Sequence, residues 1–99
     1  MAKAYWIACY REILDHDKLA AYAKLAIPAI VAGGGTVLAR GVASFVFEQG
    51  VQDRTVLIEF PDLEAALSTH DGAAYQEALA ALDGGAVRDL RFIEGVPLS

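Results

Sequence analysis

The stretch Arg54 to Pro61, which reads Arg-Thr-Val-Leu-Ile-Glu-Phe-Pro, has the pattern of a strand that is apolar on both faces and yet holds one carboxylate, Glu59. Alternate residues of a strand face opposite sides of a sheet. One side here would carry Val56, Ile58 and Phe60, and the other would carry Leu57 beside Glu59. Neither side is the polar surface of an ordinary antiparallel sheet, so the pattern predicts a strand that is covered on both faces.

The chain is short for a protein that must cover a sheet twice. Its 99 residues suit one domain spanning residues 1–99, with no room for a second. Hydrophobic residues make up 56% of it, against roughly 45 to 50% in soluble domains. The excess predicts that an apolar surface is buried against a second copy of the chain, as a homodimer.

Charge and composition argue against several classes of function. The net charge is -5 and no segment carries a basic stripe, so we expect no nucleic-acid partner. Cys9 is the single cysteine and is expected to be a buried free thiol, and no metal or organic cofactor is predicted. The N-terminus lacks the pattern of a secretory signal, and the apolar run 19–31 is interrupted and too short for a membrane span, so a cytoplasmic location is expected.

The order of predicted elements defines the fold class. Apolar patterns and turn residues predict strands at 4–10, 36–40, 44–48, 54–60 and 87–96, and helices at about 17–30, from Asp62 and at 73–82. The pieces 36–40 and 44–48 are read as one long strand with a bulge at Gly41, and Pro28 is expected to kink the first helix. The order predicts an α+β, ferredoxin-like split β-α-β fold with a four-stranded antiparallel sheet, central first and third strands, and helices on one face.

Several segments together resemble a known family: Ala4-Tyr5-Trp6-Ile7-Ala8, Leu38-Ala39-Arg40-Gly41, Val56-Leu57-Ile58-Glu59-Phe60-Pro61 and Glu94-Gly95. They resemble the DUF1330 family, small bacterial proteins within the dimeric α/β-barrel superfamily. The resemblance implies a ferredoxin-like domain that dimerises sheet to sheet into an α/β barrel, and it implies no established reaction. Family members often carry an aromatic pair where this chain has residues 69–74, so any pocket there is expected to be more open or more polar.

Glu59 and Arg40 lie on strands predicted to be neighbours, and a buried carboxylate requires a partner. Two interpretations remain open for this pair. It is a structural ion pair, or Arg40 binds an anionic group while Glu59 handles a proton. His70, at a break between two helical segments, is either a capping or surface residue or an acid/base group.

Two functions fit these residues. The first is a dimeric module that binds a small, partly apolar or anionic metabolite near the sheet. The alternative is a cofactor-independent enzyme, resembling the monooxygenases and isomerases of the superfamily, that uses Glu59, Arg40 and His70. Catalytic residues are not assigned, and the predicted ligand-binding residues are Trp6, Tyr22, Arg40, Glu59, His70 and Tyr75.

Overall fold

The computed structural model describes residues 2–97 and contains one four-stranded sheet with helices on one of its faces. The elements in chain order are β1 (Ala4–Ile13), α1 (His16–Ala32), β2 (Thr36–Val42), β3 (Arg54–Phe60), α2 (Leu63–Asp71), α3 (Ala73–Leu82) and β4 (Ala86–Glu94). The strands lie in the order β2-β3-β1-β4, and every neighbouring pair is antiparallel. The predicted ferredoxin-like fold with β1 and β3 at the sheet centre is confirmed.

Helix α1 begins after an aspartate cap, contains Pro28 and ends at the glycine run. The side chain of Asp15 accepts a hydrogen bond from the backbone N–H of Lys18 at 3.1 Å, which caps the first turn. The helix then runs through Pro28 to Ala32 and closes at Gly33. Gly34 follows with a φ of 98°, a conformation that glycine adopts without steric cost. The glycine run is therefore a helix end and a turn.

The second predicted strand is wrong in its C-terminal half. β2 ends at Val42, which pairs with Arg54, and residues 43–53 form no strand. The irregularity in β2 lies between Val37 and Ala39, and not at Gly41. β3 starts at Arg54, so residues 44–48 have no partner strand with which to continue the ladder. The apolar residues of this segment therefore do not form strand structure, and Phe45 is 84% exposed.

The helix-facing side of the sheet holds the core. Trp6, Phe60 and Tyr75 are its largest fully buried side chains. Ala66 of α2, Tyr75 of α3 and Ile30 of α1 belong to the same cluster as Trp6, so all three helices pack on one side of the sheet. This arrangement leaves the other side without a helical layer.

We call that other side the open sheet face. It carries Tyr5, Ile7 and Cys9 from β1 and Leu57 from β3, all partly exposed. Cys9 was predicted to be buried, but it lies on this face, where no helix covers it. The two apolar faces predicted for the central strands are present, and only one of them is covered within the chain.

No helix among residues 2–97 combines the length and the apolar composition that crossing a membrane requires.

Asp62 links β3 to α2, and its removal tests whether the predicted cap contributes to stability. Its Oδ1 accepts a hydrogen bond from the N–H of Ala65 at 2.7 Å. We expect Asp62→Ala to cost about 1 kcal/mol, because a first-turn N–H loses its acceptor. That cost lowers the melting temperature by roughly 4–8 °C in a domain of this size. Asp62→Ser keeps an acceptor oxygen and should melt close to the unmodified protein, and equal melting temperatures of the two variants would contradict a capping role.

Candidate functional site

A cavity lies between α1 and the helix-facing side of the sheet, and we call it the inner cavity. Its apolar wall comes from α1 and from the inward-facing residues of the strands. Three arginines complete the lining, which consists of Trp6, Ala8, Tyr10, Tyr22, Ala23, Ala26, Ile27, Ile30, Val37, Arg40, Arg54, Val56, Ile58 and Arg88. The empty volume is about 430 Å³ including the mouth, whereas the space that a water-sized body can enter is about 40 Å³. The cavity is therefore narrow inside and open to solvent at its mouth.

The strand register makes the inner cavity apolar at one end and cationic at the other. At the apolar end, Trp6 lies opposite Ile58, which also pairs with Val37. One step along the strands, Arg40 pairs with Val56. At the far end, Arg88 pairs with Tyr10. Arg54 lies at the same end, with its guanidinium 5.9 Å from the centre of the Tyr10 ring. Polarity thus increases along the strands, from hydrocarbon to guanidinium groups.

The three arginines of the inner cavity have no acidic partner. None of the lining residues is Asp or Glu, and within residues 2–97 Arg40, Arg54 and Arg88 form no ion pair. The Nε of Arg54 is buried and has no hydrogen-bond partner in the same part of the chain. A buried donor without a partner costs roughly 1–3 kcal/mol. The site therefore holds positive charge and at least one unused donor, in a protein whose net charge is -5.

Two tyrosine hydroxyls hold the guanidinium of Arg88. The hydroxyls of Tyr22 and Tyr75 lie 2.7 Å apart. Arg88 donates to Tyr22 from Nη1 at 3.1 Å and to Tyr75 from Nη2 at 3.4 Å. Burial raises the pKa of Tyr22 above its ordinary value, and Tyr75 adds to this effect while Arg88 opposes it. Tyr22 is therefore a neutral hydroxyl at physiological pH.

The open sheet face also carries arginines, but these have an acidic partner. Arg91 donates to both carboxylate oxygens of Asp89, from Nε at 3.0 Å and from Nη2 at 2.9 Å. Arg11 lies 3.9 Å from the same carboxylate. These contacts hold the pKa of Asp89 below its usual range, the hydrogen bonds from Arg91 being the main cause. The lack of acidic partners is thus a property of the inner cavity and does not extend to every arginine of the sheet.

The predicted contact between Glu59 and Arg40 is wrong. Glu59 lies on the open sheet face, where it accepts hydrogen bonds from Lys3 at 3.2 Å and from the Tyr5 hydroxyl at 3.3 Å. Arg40 pairs with Val56, three residues from Glu59 along β3, so the two-residue alternation of the strand and a shift in the β2 register place Arg40 on the helix-facing side. The two charged groups belong to adjacent strands and opposite faces of the sheet.

The remaining predicted ligand-binding residues fall into two groups. Trp6, Tyr22 and Arg40 line the inner cavity. Tyr75 is fully buried behind Tyr22 and does not line the cavity.

His70 also lies away from the inner cavity. Its ring packs 5.8 Å from Trp6 and 5.3 Å from Tyr75, measured between ring centroids, and its Nδ1 lies 3.0 Å from the carboxylate of Asp71. The residues Glu59, Arg40 and His70, which one hypothesis joins in a single acid/base mechanism, are therefore not brought together.

Sequence reasoning missed Arg54 and Arg88 as residues of this site. A signal for them was present in the alternation of the strands. Arg54 has the same parity as the inward-facing Val56 and Ile58. Arg88 likewise has the same parity as Leu90 and Phe92, which pack against the core, so its side chain faces inward. An arginine at an inward-facing strand position is an unusual placement, and it marks the cationic end of the cavity.

Among residues 2–97, no three His, Cys, Asp or Glu side chains are grouped in a way that would hold a metal ion.

Comparison with solved structures shows the same fold in several proteins. RPA0582, a protein of unknown function from Rhodopseudomonas palustris, is 21% identical with a TM-score of 0.72, over 99% of this chain and 84% of that chain. SnoaB, a cofactor-independent oxygenase from Streptomyces nogalater, is 8% identical with a TM-score of 0.63, over 99% and 97% of the two chains. An ethyl tert-butyl ether d (EthD) family protein from Bacillus halodurans C-125 is 14% identical with a TM-score of 0.61, over 97% and 100%. At these identities the similarity shows the fold alone.

The search of curated proteins found no match to this sequence. A family model does match, and it covers residues 3–96, which is nearly the whole chain. That model describes a domain of unknown function, and the predicted family is thereby confirmed. The chain belongs to the DUF1330 family.

Proposed function

We propose that this protein binds a small organic anion with an apolar part, and that the inner cavity is the binding site. The observation that carries the proposal is the group of three guanidinium groups, from Arg40, Arg54 and Arg88, around an apolar cavity that contains no acidic side chain. Charge-assisted hydrogen bonds from arginine to an anion are about twice as strong as neutral ones. An anionic ligand would supply the missing counter-charge.

The shape of the cavity supports one orientation of such a ligand. The anionic group would lie near Arg54 and Arg88, and the apolar part would extend toward Val37 and Ile58. An oxygen of the ligand within reach of the Arg54 Nε would satisfy the donor that is otherwise buried without a partner.

The size of the cavity limits the ligand. The space open to the centre of a water-sized body is about 40 Å³, so the interior admits only a small group. A carboxylate group and a few carbon atoms would therefore reach into the mouth of the cavity. A larger ligand would require α1 to move away from β2, the edge strand.

The enzyme hypothesis receives less support from this geometry. Its three residues, Glu59, Arg40 and His70, lie at separate places in the fold. The similarity to SnoaB concerns the fold and does not transfer its activity. Binding of a small anion is the function that the described residues support best.

A binding measurement tests the proposal directly. Trp6 is the only tryptophan and lines the inner cavity, so its fluorescence reports on occupancy. We expect butyrate to change this fluorescence in a saturable manner, and its uncharged analogue butyramide to bind at least tenfold more weakly. Arg54→Met removes the charge and keeps an apolar stem, and it should weaken butyrate binding at least tenfold, as a lost charged hydrogen bond of about 1.5–3 kcal/mol predicts.

The matched control is Arg11→Met, which removes the same charge on the opposite side of the sheet. It should leave butyrate affinity within about twofold, since Arg11 does not line the inner cavity and lies beside Asp89 on the open sheet face. Equal binding of butyrate and butyramide, or an Arg54→Met protein with unchanged affinity, would show that the arginines do not select an anion.

We also propose that two copies of the chain pack their open sheet faces together. The support comes from the partly exposed apolar residues at the centre of that face, Ile7 and Leu57, which are directly paired across β1 and β3. Ile93 of β4 extends the same apolar surface and is 57% exposed. Apolar surfaces of this kind mark interaction sites, and a second copy carries the same apolar surface.

Substitution at the centre of the open sheet face tests the dimer. We expect the unmodified protein to sediment as a dimer at micromolar concentration, and Leu57→Asp to sediment as a folded monomer because a carboxylate would be buried at the interface. Leu67→Asp places the same charge on α2 at a residue that is 45% exposed, and it should remain dimeric. A monomeric unmodified protein would exclude the proposed assembly.

A further inference from the structure

The hydroxyl of Tyr75 has a single acceptor within reach. Tyr75 is fully buried, and the groups that contact its oxygen are the Tyr22 hydroxyl and Nη2 of Arg88. A guanidinium only donates hydrogen bonds. Within residues 2–97, the Tyr75 proton can therefore be used only in a hydrogen bond to Tyr22, and leaving it unused would cost the desolvation of a buried donor.

The direction of this hydrogen bond, from Tyr75 to Tyr22, determines which hydrogen bonds the Tyr22 hydroxyl can still form. Its oxygen accepts from Tyr75 and from Nη1 of Arg88, which occupies both of its lone pairs. Its own proton then has no acceptor among the described side chains. Tyr22 lines the inner cavity and Tyr75 does not, so the unused proton belongs to the tyrosine that borders the cavity.

We propose that the Tyr22 hydroxyl is the specificity-determining hydrogen-bond donor to the anionic end of the ligand, with Tyr75 and Arg88 as the residues that position it. The inference rests on the proposed function and adds the chemical class of the ligand. Tyr22 and the Nε of Arg54 offer donors and no free acceptor at the cationic end. A carboxylate, which only accepts hydrogen bonds when ionised, matches such a site.

The same donor set disfavours groups that carry their own N–H or O–H. An amide or an alcohol would bring a proton toward Tyr22, whose oxygen already accepts two hydrogen bonds, and toward Arg54, which only donates. Leaving that donor unpaired would reduce affinity, because selectivity arises as much from unsatisfied groups on the wrong ligand as from contacts to the right one. Tyr22 thus discriminates by the direction of its hydrogen bond, in addition to the selection for negative charge that the arginines provide.

The first experiment measures butyrate affinity in three phenylalanine variants. We expect Tyr22→Phe to weaken binding at least tenfold, and Tyr75→Phe to weaken it by a smaller factor, since Tyr22 keeps its proton but loses one positioning bond. The matched control is Tyr5→Phe, which removes a hydroxyl that donates to Glu59 on the open sheet face, and its affinity should be unchanged. Circular dichroism and thermal melting verify that each variant is folded.

The second experiment uses the unmodified protein and so does not depend on how a variant folds. Hydroxyl proton exchange can be followed by NMR at the labelled ζ carbons of Tyr22 and Tyr75. In the free protein the Tyr75 proton should exchange slowly and the Tyr22 proton faster. On addition of butyrate the Tyr22 proton should become protected by at least tenfold, an effect that a purely structural tyrosine would not show.

The outcomes separate this inference from the proposed function. If the unmodified protein binds butyrate and Tyr22→Phe binds it equally well, the inference fails and the binding function stands. A Tyr75 proton that exchanges faster than that of Tyr22 in the free protein would also overturn it, because the hydrogen bond would then run in the other direction. If the unmodified protein binds no butyrate, the proposed function fails and this inference fails with it.

Discussion

The packing of Trp6 against the aromatic side chains of the core is the interaction on which the rest of this structure depends. Trp6 is almost fully buried near the start of β1, and its ring meets Tyr75 edge-on at 4.8 Å between ring centroids. That contact fixes the position of Tyr75 on α3, where its hydroxyl reaches Tyr22 on α1. Tyr22 and Tyr75 in turn hold the guanidinium of Arg88. A continuous chain of contacts thus connects the core to the cationic end of the inner cavity, so the geometry of the candidate site follows from the packing of the fold.

The two faces of the sheet differ in whether their basic side chains have carboxylate partners. On the open sheet face each basic group has a carboxylate partner: Lys3 contacts Glu59, and Arg91 forms two hydrogen bonds with Asp89. On the helix-facing side Arg54 and Arg88 meet tyrosine rings or hydroxyls instead, and Arg88 lies 5.0 Å from the centre of the Tyr22 ring. Aromatic faces stabilise a cation without neutralising it. The helix-facing side therefore keeps a net positive charge that an anionic ligand can use, which is the physical basis of the proposed binding function.

Much of the fold could be predicted because its signals are local. Asp15 and Asp62 cap the helices that follow them, and the glycines after Ala32 end α1, as their side chains and backbone preferences predict. The strand predicted at residues 44–48 is wrong because the β2–β3 ladder ends where Val42 pairs with Arg54, which leaves the apolar run without a partner strand. The site was harder to predict. Tyr22 and Arg40 line the inner cavity, whereas Glu59, which was expected to contact Arg40, lies on the opposite face, because a shift in the β2 register places Arg40 on the helix-facing side.

The sequence by itself determined the order of the elements and the presence of two apolar faces on the central strands, since both follow from spacing and composition, and its motifs resemble those of the DUF1330 family, to which the chain belongs. Only the tertiary structure decided which charged groups meet. Arg40, Arg54 and Arg88 come from three strands, and Tyr22 and Tyr75 from two helices, so no local pattern relates them. Their convergence depends on strand register and on how α1 and α3 pack over the sheet. The same register separates Glu59 from Arg40, because a shift of one residue in a strand moves a side chain to the opposite face.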